Sequence, residues 1–319
     1  MSLKNNYITY QGYECLSACL VNYLRFMNYR ISGSDIFFIG SGSGFIFKKN
    51  EEENRRIVAT RQYEANYDFC RKIGIDYSVK SMKGESATVI LEAMTEKKMC
   101  VTIQASTLFL TYNPIFLKGE GFHFINILHV DREGGRMYVS DGYIPTVRPC
   151  TYEGWISAAD IIRGWERTDN LVFFINTMPI GELLETEINN VYSYMVNSVK
   201  SFIKGDGKNL PNNKRLCEYV GSILIGTDDQ DLYRKEMSNL RFNFKANGFF
   251  AYKYHILDQM QRTQSELSRE YEDMIKKWEA WFMNIMKLRD VYQTERNRRS
   301  YEKFMYLTEI EEKILCKLL

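Results

Sequence analysis

The segment Gln11-Gly12-Tyr13-Glu14-Cys15-Leu16-Ser17-Ala18-Cys19-Leu20 carries the sharpest chemical signal in the chain. A cysteine attacks a carbonyl as the thiolate. Free N–H groups and partial positive charge at a helix N-terminus favour that anion. Apolar periodicity begins at Cys15, which places its thiol where a helix starts. Cys19 falls one turn later on the same face and reads as buried. On this stretch alone, Cys15 reads equally well as a nucleophile or as an inert small core residue.

A cysteine nucleophile needs a base, and Gly121-Phe122-His123-Phe124 supplies one at the start of a strand. The imidazole needs an acceptor on its second nitrogen. If the turn Asp131-Arg132-Glu133-Gly134-Gly135 centres on Glu133, Tyr143 lies opposite His123. Asp141 is then two positions away on the same face, within diagonal reach. Asn126 is an alternative orienting group, but strand alternation points it to the opposite face. His129 is expected on the face of His123, about 20 Å further along at about 3.3 Å per residue, too far to serve the same site. His129 and His255 read as structural.

Acyl transfer also needs donors for a developing oxyanion. The backbone N–H of Cys15 is one. The side-chain amide of Gln11 is a second, with a polar loop residue as its alternative reading. The run Gly40-Ser41-Gly42-Ser43-Gly44-Phe45 lacks the Lys-Ser/Thr that completes a nucleotide phosphate loop. Gly40, Gly42, Ser43, Gly44 and Phe45 are expected instead to bring backbone close to the site, or to an extended acyl or pantetheine arm.

The elements that must position these groups are of two kinds. Residues 1–178 mix helix and strand. Helices are expected over Cys15–Asn28, with Leu16, Cys19, Leu20, Tyr23, Leu24 and Met27 on one apolar face, then over 60–72 and 85–96. Strands are expected over 99–104, 122–130, 136–141 and 171–176. This order is α+β: helices first, then an antiparallel sheet. Residues 179–319 are mostly helical, with a loop at 206–213. The pattern from Phe249 to Tyr292 repeats Ile256, Met260, Leu267, Tyr271, Ile275, Trp278, Phe282, Ile285 and Leu288 at helical spacing and reads as a packing seam. A last helix over 301–318 is expected to fold back on it, with the basic stretch Arg296–Ser300 as a solvated turn.

Composition narrows the function classes. A net charge of +2 in 319 residues gives no global reason for nucleic-acid binding. Seven cysteines at irregular spacing, without a CxxC pair or an N-terminal signal-like run, are expected to be reduced thiols in a cytoplasmic protein. Three scattered histidines make no obvious metal site. No apolar run reaches the about 18 residues of a membrane span.

The segment around Cys15 resembles the nucleophile segment of papain-like leader peptidases attached to bacteriocin exporters, with Glu14 in place of Asp and Leu16 in place of Gly. The chain as a whole looks more like the butirosin biosynthesis protein H family. Cys15, the Gly40–Phe45 run, Gly121-Phe122-His123 and Val139-Ser140-Asp141-Gly142 fall in that family's order within residues 1–178. The resemblance implies a papain-like catalytic domain, residues 1–178, and a helical domain, residues 179–319, that shapes an acceptor pocket or docks a partner. It implies an acyltransferase of antibiotic biosynthesis, with Cys15, His123 and Asp141 as triad. Its donor would be an acyl carrier protein thioester, carrying phosphopantetheine as part of the substrate with no bound cofactor. Its acceptor would be an amine. A cysteine peptidase or amidase uses the same triad, and a non-catalytic protein on the same fold would leave Cys15 and His123 apart. The long C-terminal helices are compatible with a homodimer.

Overall fold

The computed structural model of the chain describes residues 6–50, 55–82, 101–114, 120–145, 150–205, 211–226, 229–245, 248–288 and 292–319. The helix expected over 85–96 and the start of the strand expected from 99 lie outside the described residues, as do 206–210 of the expected loop.

The chain divides into two units: residues 1–40 with 65–188, and residues 41–64 with 189–319. The first is α+β. Its sheet has six antiparallel strands in the order β3 (Tyr77–Ser81), β8 (Leu171–Ile175), β4 (Val101–Ser106), β5 (Phe122–Asp131), β6 (Arg136–Ile144), β7 (Cys150–Ser157). Helix α1 (Cys15–Phe26) packs against β5 and β6, and α4 (Ala158–Glu166) packs against β4, β6 and β7. Val101, Ile103, Ile125, Ile127, Val139, Ile161 and Trp165 form a shared core. Helices α2 (Gly33–Ile39) and α3 (Gln62–Lys72) complete the described N-terminal elements.

Helix α1 is buried on every side from Leu16 to Leu24, more deeply than one apolar face requires. Each fully buried leucine contributes about 1.5–3 kcal/mol, so the helix that carries Cys15 is strongly anchored. Met27, expected on the apolar face, instead ends the helix and is exposed.

The β5–β6 turn forms as the sequence predicts. Asp131 accepts hydrogen bonds from Gly134 N and Arg136 Nε, both at 2.9 Å, and pairs with Arg136 across the ladder. A register shift between Ile127 and His129 then alters the alternation. Ile125 and Ile127 face the core before it, and Val130 faces the core after it. The shift takes His129 out of the alternation that was expected to put it on the face of His123. It lies edge-on to Trp155 instead.

The second unit holds the hairpin β1 (Phe45–Asn50) and β2 (Arg55–Thr60) with α5 (Gly181–Lys204), which begins in the first unit. It continues with α6 (Asn212–Leu224), α7 (Gln230–Lys245), α8 (Phe249–Thr263), α9 (Ser265–Met286) and α10 (Thr294–Leu315). The hairpin is the main departure from the expected division, since its residues fall in sequence within the N-terminal half. Asn212 and Asn213, expected in a loop, open α6. The expected seam is buried at Ile256, Met260, Tyr271, Ile275, Trp278, Phe282, Ile285 and Leu288. It is split between α8 and α9 at Gln264, whose backbone is extended at φ −144° and ψ 79°. Arg296–Ser300 is not a turn but part of α10. Its charges support the helix through i,i+4 pairs, Arg299 with Glu295 at 2.9 Å and Arg298 with Glu302 at 3.3 Å. Among the described residues no helix is long and apolar enough to cross a membrane.

Candidate active site

The segment leading into α1 is tied along β6. Thr9 Oγ1 lies 2.7 Å from Ser140 Oγ and donates to Glu153 Oε2 at 2.6 Å. Gly12 N donates to Gly142 O at 2.8 Å. Tyr10 exchanges hydrogen bonds with the Asn22 side chain, at 2.9 and 3.2 Å. A Cβ on Gly142 would stand 2.8 Å from Tyr10 O and 2.9 Å from Ala18 Cβ, so only glycine admits this approach of β6 to α1. The start of α1 is thereby held against the strand that carries Asp141.

Asn126 completes the attachment from β5. Its Nδ2 donates to Cys19 O at 3.0 Å and to Tyr7 Oη at 2.8 Å, and its Oδ1 accepts from Thr102 Oγ1 at 2.6 Å. This fully buried amide joins α1, the N-terminal segment and β4 to one strand.

His123 and Asp141 meet as the register allows. His123 Nε2 lies 2.8 Å from Asp141 Oδ2, with both residues buried. The same Oδ2 accepts from Tyr112 Oη at 2.8 Å, and Asp141 Oδ1 accepts from Tyr143 N at 3.0 Å. With Nε2 on Asp141, the other ring nitrogen is left for Cys15, and the thiol and the imidazole are near enough to act on each other's pKa. Burial pulls the imidazole pKa down, but the charge and hydrogen bond of Asp141, with Cys15, overcome it and leave His123 well above the ordinary histidine range.

Glu14 alters the electrostatics expected at the helix start. It is the N-cap of α1, and its carboxylate accepts from Leu16 N at 2.9 Å and Ser17 N at 2.7 Å. These are the N–H groups that were expected to favour the thiolate. Desolvation raises the Cys15 pKa and the charge of Glu14 raises it further, outweighing His123 and the Phe124 N–H. An acidic residue just before a helix is a recognisable cap, so this feature was readable from the sequence and was missed. Tyr112 carries no comparable signal. It stands outside the strands and is placed by stacking on Tyr152, with ring centroids 4.0 Å apart.

The backbone N–H of Cys15, at the first position of α1, makes no hydrogen bond among the described residues. Gln11 is exposed just ahead of it. The residues of the glycine run have local roles of their own. Gly40 caps the end of α2, where a Cβ would stand 2.0 Å from Ala65 O. Gly42 and Gly44 offer their carbonyls to Arg61 N at 3.0 and 3.1 Å. Ser43 is half-buried between them, and Phe45 packs on Phe202 and Tyr252 at 5.6 and 5.5 Å in the helical unit. Among the described residues no group of His, Cys, Asp and Glu is arranged to hold a metal ion.

Cys15 thus neighbours a His123 that is hydrogen-bonded to Asp141, the residue types a nucleophilic acyl transfer would use. Residues 14–142 match the family described as butirosin biosynthesis protein H, N-terminal. The matched span contains all three residues. A comparison with curated protein sequences gives no match.

Proposed function

Because residues 14–142 belong to the butirosin biosynthesis protein H N-terminal family, we propose that this chain is an acyltransferase of antibiotic biosynthesis with a papain-like catalytic domain. It moves an acyl group from a carrier-protein thioester through Cys15 to an amine. The observation that carries the reading is the connection of Cys15 to Asp141 through His123.

In the first half-reaction, His123 takes the Cys15 proton and the sulfur attacks the thioester carbonyl. The tetrahedral oxyanion is held by the Cys15 N–H and the Gln11 amide. Collapse breaks the bond to the pantetheine sulfur, which leaves with the proton from His123, and Cys15 keeps the acyl group. In the second half-reaction the amine attacks that thioester and gives its proton to His123. Collapse releases the amide, and Cys15 regains its proton. Asp141 holds the imidazole in orientation throughout. The phosphopantetheine arm belongs to the donor, and the chain needs no bound cofactor of its own. The helical domain is assigned to binding the carrier protein or the amine acceptor.

Intact-protein mass spectrometry after incubation with acyl-pantetheine and acyl-carrier thioesters tests this, with Cys15→Ala as control. A gain of one acyl mass on the parent alone is expected, discharged by an amine. Discharge by water at an unchanged rate whatever amine is added would move the assignment to a hydrolase. No adduct and no thioester consumption would overturn the acyltransferase.

A further inference from the structure

The Cys15 thiol has two ionisable neighbours. His123 approaches from β5. Glu14 Oε1 lies on the helix side, 3.3 Å from Sγ, placed to accept the thiol proton. Glu14 is 6% exposed, low enough that its charge is held against water. Besides Leu16 N and Ser17 N, its carboxylate accepts Asn66 Nδ2 of α3 at 3.1 Å. The carboxylate thus gathers three N–H donors at the helix N-terminus. A fixed anion this close to sulfur opposes a second negative charge there.

The other ionisable groups acting on the thiol do not cancel this. Tyr143 of β6 is held in its neutral form, pushed above the ordinary tyrosine range by burial first and then by Cys15, Glu14 and Asp141. Asp141 acts through His123 and adds negative charge beyond it.

We propose that Glu14 is a positioning residue that keeps Cys15 as the thiol in the resting protein, with the S–H turned to the Glu14 carboxylate. Oxidants and small electrophiles react with the thiolate, so a resting thiol is shielded from them until His123 draws the proton away. The inference deepens the acyltransferase reading, but its test needs no acyl donor. A failure of one is therefore distinguishable from a failure of the other.

The test follows iodoacetamide alkylation of the full-length protein against pH, with Cys15 read by peptide mass so that the exposed Cys150 and Cys316 do not contribute. The parent is expected to show its alkylation midpoint above the ordinary thiol value of about 8.5. Glu14→Gln removes the charge. It is expected to lower the midpoint by about one pH unit, which is about tenfold faster alkylation on the rising limb. Glu14→Asp keeps the charge and is expected to keep the high midpoint. An unchanged or raised midpoint in Glu14→Gln overturns the proposal. So does a parent midpoint at or below the ordinary thiol value, which decides the matter even if a variant does not fold.

Discussion

Tyr112 and His123 share one oxygen atom: the phenol and the imidazole Nε2 each lie 2.8 Å from Asp141 Oδ2. The carboxylate therefore divides its hydrogen-bonding capacity between the ring it orients and a tyrosine that touches neither the sulfur nor the imidazole in any hydrogen bond described. That division sets how strongly Asp141 holds the His123 proton.

Tyr112→Phe should concentrate the carboxylate charge on His123. The acid limb of kcat/KM is expected to move to higher pH, with a modest loss of maximal rate. Removing the hydroxyl should also cost about 1 kcal/mol of stability. An acid limb at the parent's pH, with only the stability lowered, would reduce Tyr112 to a packing residue.

Asp141→Asn should act in the opposite sense on the same limb. The carboxylate charge is the cause that raises His123 against the burial that lowers it, so its removal should shift the limb down. The amide also favours the wrong imidazole tautomer, and the rate is expected to fall by about 10²–10⁴-fold. That loss should remain smaller than in Cys15→Ala. Activity equal to the parent would remove Asp141 from the site.

Stability should follow pH in a direction fixed by the same shifts. His123 and Cys15 both have folded-state pKa values above their ordinary ones, so the folded chain holds these protons more tightly than the unfolded chain. Their contribution is complete below the unfolded histidine value of about 6.5. For His123 it is lost as pH rises through its folded pKa. Denaturant titrations at neutral and mildly alkaline pH should show the parent losing stability, and His123→Ala losing less. Equal slopes for the two proteins would contradict the assignment.

Asn126→Ala should destabilise the first unit by about 2–4 kcal/mol, because Cys19 O, Tyr7 Oη and Thr102 Oγ1 lose a buried partner. A melting temperature within error of the parent would show that α1 is held without this amide.

The helical unit contains a buried ion pair whose two halves should behave unequally. Lys253 Nζ lies 2.6 and 2.5 Å from the Glu311 oxygens, which also accept from Tyr271 Oη at 2.9 Å and Trp278 Nε1 at 3.1 Å. Glu311→Ala leaves the lysine uncompensated and should cost about 3–5 kcal/mol. Replacing both residues by apolar ones of similar volume should cost much less. Chemical denaturation of the single and double variants separates the two outcomes, and equal losses would show that the pair is not coupled.

The sequence by itself determined the start of α1 at Cys15, the β5–β6 hairpin and the diagonal relation of His123 to Asp141. Each follows from periodicity or turn chemistry over a few residues, and the paired strands carry that local geometry to the site. The family resemblance, too, was legible in short motifs. Only the tertiary structure decided that Glu14 shares the thiol with His123, that Tyr112 shares Asp141, and that a register shift separates His129 from the expected face. It also decided that residues 41–64, with the hairpin β1–β2, group with the helical unit rather than the first. The break at Gln264 falls in the same class, since no glycine or proline marks it. These outcomes rest on contacts between residues far apart in the chain, such as Asn66 with Glu14 and Phe45 with Tyr252. Local spacing restricts which face a side chain takes, but which neighbour it meets there is set by how the elements pack.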